Sequence, residues 1–149
     1  MLDWDTIGAI GEILGAFAVL VTVIYLSRQV KHSNDLSRFN TVRDLMDKFD
    51  NLNGRVVEDS ALRSALMKEG PLSAEEEEQV YTFANMFCNT WLSCEYAFNN
   101  GLIDEDLYFG YKEDVAVEIN RWPNFGLFVK RWLDTYPAPT NREIFSEVA

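Results

Sequence analysis

The chain of 149 residues is short of the groups that most enzymes use for proton transfer, metal binding and redox chemistry. It holds one histidine, His32. That excludes the paired Glu-x-x-His motifs of di-iron bundles, HExxH zinc sites and His-bearing triads. His32 lies among basic residues and reads as a solvated side chain. The two cysteines, Cys88 and Cys94, stand six apart in a predicted helix. This spacing turns them about 120° from each other, too far round to bridge, so they read as buried thiols of a reducing compartment. Neither a Walker A loop nor a GxGxxG turn is present, which removes nucleotide binding by those routes. No catalytic, cofactor-binding or metal-ligating residue is therefore nominated, and no cofactor is expected.

Basic residues are also scarce. There are 13 Lys and Arg against 24 Asp and Glu, a net charge of −11, and none of the 13 precedes Arg28. Residues 27–149 hold all 13 bases and 21 of the acids, a net −8. A domain this acidic has no electrostatic footprint for nucleic acid, and it would be repelled by an anionic lipid leaflet outside a short collar from Arg28 to Arg43.

What the chain does have is one long apolar run. Thr6–Leu26 is 21 residues with a single charge, Glu12. At the usual helical rise it reaches about 30 Å, the thickness of a bilayer's hydrocarbon core. Trp4 and Tyr25 mark its ends, where amphipathic rings favour the headgroup layer, and Arg28 and Lys31 begin the basic flank behind it. The positive-inside rule puts the N-terminus outside and the following domain in the cytoplasm. A cleaved signal peptide fits less well, because the N-terminal flank is acidic and VIYLSRQVK offers no small-residue cleavage site.

The predicted span differs around its circumference. Gly8, Gly11, Glu12, Gly15, Val19, Thr22 and Leu26 share one face, while Ile10, Ile13, Leu14, Phe17, Leu20, Val21 and Ile24 form a bulky apolar one suited to lipid. Gly11-x-x-x-Gly15 lets a second backbone approach closely, so the small face is expected to dock another transmembrane helix, from a second copy or a larger complex. Glu12, at membrane depth, can hydrogen-bond that partner, snorkel to the near surface, or line an ion pathway in an oligomer.

Past the span every strong signal is helical. From Tyr25 to Leu52 there is no proline or glycine, so the anchor helix is expected to continue through residues 28–53. Leu36, Phe39, Val42, Met46 and Phe49 supply its amphipathic face. Asp59 can cap a short helix that ends at Gly70-Pro71. Ser73 with Glu76 forms a capping box, and Glu75 to Glu78 put charge where the helix dipole favours it, so the acidic run is a helix start rather than a metal site. That helix carries Val80, Phe83, Ala84, Phe87, Trp91, Cys94 and Phe98 inward and stops at Gly101. Its apolar character on several sides marks it as central; Asn85, Asn89, Ser93 and Glu95 argue against a second span. Asp104 can cap the next helix, which Pro123 interrupts. A further helix over 124–136 points Phe125, Phe128, Val129 and Trp132 inward, the Pro137-Ala-Pro139 turn follows, and a last helix over 141–149 closes the chain. The acids Asp104, Glu105, Asp106, Glu113, Asp114 and Glu118 lack EF-hand spacing and read as charged helix faces. Trp122, Phe125, Trp132 and Tyr136 either build the core or stay exposed as anchors for a protein partner. The expected architecture is all-α: an anchor over 1–27 and an acidic helical domain over 28–149, a bundle of four to five helices.

Three segments carry a resemblance. IGAIGEILGAFAVLVTVIYLSRQVKHSN runs into a Tyr-Leu-x-x-Gln collar, Leu72-Ser73-x-Glu-Glu opens an aromatic-rich helix, and Asn100-Gly101-Leu102-Ile103-Asp104-Glu105 precedes Trp-bearing helices. Together they resemble a family of small uncharacterised bacterial membrane-anchored proteins. The resemblance implies a single-pass protein of the inner (cytoplasmic) membrane and brings no catalytic residues with it. Three functions compete on this reading: a non-enzymatic accessory subunit docking through the Gly/Glu face, a homo-oligomeric proton or ion pathway through Glu12, and a ligand sensor or enzyme with a pocket in the aromatic bundle. A well-formed apolar pocket with converging carboxylates favours the last; a filled core removes it.

Overall fold

A computed structural model describes residues 3–136 and 143–146. The fold is all-helical. It comprises α1 (Trp4–Glu58), α2 (Ser60–Met67), α3 (Ala74–Asn99), α4 (Glu105–Asn120), α5 (Phe125–Thr135) and a 3-10 turn at Glu143–Phe145, with no strand among the described residues. The chain divides into two units, Met1–Phe39 and Asn40–Ala149. α1 contributes to both. The described side chains up to Asn40 are exposed, and burial begins only at Thr41 and Val42.

The helix ends follow local chemistry. Asp59 Oδ1 accepts from the amides of Ala61 and Leu62 and so caps α2. Ser73 Oγ accepts from the Glu76 amide while Glu76 Oε2 accepts from the Ser73 amide at 2.7 Å, satisfying two otherwise orphaned donors. Asp104 caps α4 through the Leu107 amide. Gly101, at φ +67°, lets the amides of Gly101 and Leu102 reach back to the carbonyls of Phe98 and Ala97. That paired closure needs a left-handed residue and terminates α3.

α1 is continuous over 28–53 as expected and runs on through Gly54 to Glu58. Leu52 is buried and Val56 packs against the core on either side of Gly54, and that packing outweighs the roughly 1 kcal/mol a glycine costs inside a helix. The inward stripe of α1 differs from the expected one. Leu36, Phe39 and Met46 are exposed, whereas Leu45 and Leu52 are buried and Val42, Phe49 and Val56 are half-buried beside them. The 3-4 spacing of 42, 45, 49, 52 and 56 is one unbroken stripe, and Met46 falls on its flank.

In the second unit α3 is central, packing against α2, α4, α5 and the 3-10 turn. Val80, Ala84, Cys88 and Cys94 are fully buried on it. Two polar residues of α3 meet side chains of other helices. Asn85 Oδ1 accepts from Trp132 Nε1 at 2.8 Å, and Ser93 Oγ accepts from Lys48 Nζ at 3.1 Å. Asn124 Nδ2 donates to the carbonyls of Lys68 and Gly70, closing the loop after α2 onto the start of α5. α5 buries Phe125, Phe128, Val129 and Trp132, as its periodicity requires. The final segment was expected to be helical over 141–149. Residues 143–145 form a single 3-10 turn followed by Ser146, and residues 141–142 and 147–149, like the Pro137-Ala-Pro139 turn, lie outside the described residues.

Candidate functional site

Two surfaces carry features that the fold itself does not require. The first belongs to Met1–Phe39. The stretch Ile7–Glu58 is long and apolar enough to cross a membrane, and none of its apolar 18-residue window is buried. A core helix of a soluble protein would be mostly covered by its own chain; this one is bare. Ile10, Ile13, Leu14, Phe17, Leu20, Val21 and Ile24 are all at least half exposed. Trp4 and Tyr25 are exposed at the two ends, and Arg28 and Lys31 are exposed beyond Tyr25.

The helix brings Gly8, Gly11, Glu12, Gly15, Val19 and Thr22 onto one side, and all six are exposed. A Cβ added at Gly8, Gly11 or Gly15 would meet nothing within 4 Å. No contact inside the chain demands three glycines there, although each weakens a helix relative to alanine. Thr22 Oγ1 donates to the Ala18 carbonyl at 2.8 Å, so its hydroxyl is satisfied within the helix.

The second surface is a cleft in Asn40–Ala149. It encloses about 580 Å³, within the range of small-ligand sites. Phe83, Phe87, Trp91 and Phe125 form its floor. Their rings interlock: Phe87 lies 5.1 Å from Phe125, edge to face, and 5.5 Å from Trp91. Phe49 of α1 enters from the side, 4.7 Å from Trp91 and 4.9 Å from Tyr111 of α4. Such pairs contribute about 0.5–1.5 kcal/mol each beyond the area they bury. Trp91 is held by rings: its Nε1 is buried without a hydrogen-bond partner among the described residues.

The cleft's rim is charged. Asp50, Asp114, Glu118 and Arg121 line it together with Tyr111 and Trp122. Arg121 is already engaged, with a nitrogen 3.3 Å from Glu118 Oε1 and its guanidinium carbon 5.1 Å over the Trp122 ring. Burial, then the nearby Cys94 and Asp114, raise the Tyr111 pKa above its usual value.

The aromatics considered as partner anchors separate into two groups. Phe125 and Trp132 are core residues, 1% and 4% exposed, so neither is available at the surface. Trp122 is half-buried at the cleft rim, and Tyr136 is exposed next to Trp132, ring centroids 5.3 Å apart.

Among the described residues no group of three His, Cys, Asp or Glu converges to hold a metal ion. Burial pushes the Cys94 thiol up to about 12, so it stays protonated and unreactive. In the sequence Glu95 is only an argument against a second span; the structure gives it a specific position. It is buried, and its Oε1 accepts from the Glu143 amide at 3.0 Å, fastening the 3-10 turn to α3. Its Oε2 is buried with no partner among the described residues. Burial raises its pKa, opposed by the amides of Glu143 and Ile144. Tyr108 nearby is pushed up to about 12, first by burial and then by the charges of Glu95 and Glu143.

The sequence offers a pocket in the aromatic bundle as one alternative but does not say which residues line it. It puts Phe49 on an amphipathic face and Asp114 on a charged one, and no linear pattern joins them to Trp91. No family model matches this chain, and neither a curated protein nor a solved structure matches it.

Proposed function

We propose that this protein is a single-pass membrane-anchored interaction protein without catalytic activity, an accessory subunit that docks another transmembrane helix through Gly8, Gly11, Glu12, Gly15, Val19 and Thr22. The observation that carries the reading is the apolar N-terminal helix, whose apolar window no described part of the chain covers. Apolar surface on that scale is unstable in water and calls for lipid or a partner. The bulky side suits acyl chains. The side with three glycines free of any internal contact suits a second backbone, since packing, not hydrophobicity, drives helix association in lipid. Arg28 and Lys31 behind the span favour an N-terminus outside and a cytoplasmic helical domain at a bacterial inner membrane.

The test is disulfide crosslinking in native membranes with Gly11→Cys and Gly15→Cys, set against Ile13→Cys on the opposite side. The glycine positions should yield a discrete adduct, with a second copy or another protein, and Ile13→Cys should not. Release of the protein by alkaline carbonate sinks the anchor. A retained protein that stays monomeric at all three positions sinks the docking face.

A further inference from the structure

We propose that the cleft between the Asn40–Glu58 part of α1, α3 and α4 binds a small organic cation with an apolar body, an amine or quaternary ammonium. This goes beyond the docking proposal and does not rest on it, because the residues that line the cleft all belong to the second unit.

Charge and shape both point to that class. Three carboxylates, Asp50, Asp114 and Glu118, line the cleft against one guanidinium, Arg121, which Glu118 already pairs. An anion entering would meet a net negative rim and no uncommitted base. A neutral apolar ligand would find the aromatic floor but leave the carboxylates unused.

A cation with an apolar body meets both requirements. Phe49 and Tyr111 are half-buried and stand at the cleft with ring faces that carry the negative side of the aromatic quadrupole. Cations within about 6 Å of such faces gain from roughly 0.5 kcal/mol when exposed to 2 or more when desolvated. The molecule displays this chemistry internally, since Arg121 already sits over Trp122 at the same rim. Asp50 follows Phe49 directly, and Asp114 stands one turn beyond Tyr111. The ring contact that brings α1 and α4 together therefore brings these two carboxylates to the same opening.

The experiment uses the full chain in a non-ionic detergent, because choline-headed detergents would themselves compete. Benzyltrimethylammonium is titrated while tryptophan fluorescence and heat are followed. N-benzylacetamide serves as the neutral control of similar size and benzenesulfonate as the anionic one. Benzyltrimethylammonium should bind saturably, about tenfold or more tighter than the amide, and benzenesulfonate should not compete. Asp50→Asn with Asp114→Asn should weaken the ammonium about tenfold, the change expected for about 1.4 kcal/mol, and leave the amide unaffected. Both positions are exposed, so far-UV circular dichroism should be unchanged. Tyr111→Leu should weaken the ammonium further. Equal binding of amide and ammonium, preference for the sulfonate, or absence of saturation overturns the proposal. So does an Asn variant that binds like the parent. Ammonium binding that fades as protein concentration rises would show a second copy covering the cleft and would also overturn it.

Discussion

In Met1–Phe39 every described side chain is exposed, whereas Asn40–Ala149 buries an aromatic and aliphatic core around α3. Both regions are helical and both are rich in apolar residues. The difference lies in how those residues are distributed. In the second unit they alternate with Glu, Asp, Asn and Lys at helical spacing, so each helix has an apolar stripe that neighbours can cover. In the first unit the bulky ones crowd one side of residues 7–26, away from Gly8, Gly11, Glu12 and Gly15, and no described element of the chain covers them. An uncovered apolar run calls for an apolar medium or a partner, while a covered stripe finds its medium in its own fold. The first unit therefore holds the one described helix long and apolar enough to cross a membrane, and the second holds the packed core.

The comparison breaks most sharply under truncation of large side chains. Trp91→Ala or Phe125→Ala should destabilise the second unit by about 3–5 kcal/mol, read by denaturant unfolding followed by circular dichroism. Ile13→Ala or Leu20→Ala should leave that transition within about 0.5 kcal/mol, since neither side chain touches the core. If the first-unit variants shift it as much, the two regions are not independent.

A charge on the bare helix tests the other side. Leu20→Arg should disfavour membrane insertion by about 3 kcal/mol, seen as a larger extractable fraction, with the second unit's unfolding transition unchanged. Ser73→Ala removes one half of the capping box and should cost about 1 kcal/mol. Glu76 tests the same cap by titration. Its hydrogen bond with Lys68, then those with Ser73, hold its pKa down from 4.5 to about 2. The stabilisation is thus present above pH 4.5 and lost as pH falls toward 2, and Glu76→Gln should abolish that acid-side loss.

The smallest effect is a slope. Glu95 is raised above 4.5 by burial. Above that pH the unfolded chain has released this proton while the folded chain retains it, so its contribution falls as pH rises from 4.5 through the folded-state value. Glu95→Gln keeps an oxygen that can accept from the Glu143 amide and should flatten that fall, measured as unfolding midpoints across the interval. An unchanged slope would mean that another group controls it.

Much of the architecture is legible without coordinates because its signals are local. Ser73 with Glu76, Asp59, Asp104 and Gly101 act within a few residues of themselves, and the helix ends follow from them. The bare apolar helix is equally local: its length and its lack of polar residues are properties of one continuous segment, and so is the stripe of Gly8, Gly11 and Gly15. Tertiary packing decided the rest. Leu45 rather than Met46 faces inward because α1's stripe is set by the helices it meets. Glu95 is a clamp because Glu143, far along the chain, returns to it. The cleft exists because Phe49, Trp91 and Tyr111 converge from three helices, and a juxtaposition of distant residues has no period or motif that a linear pattern can carry.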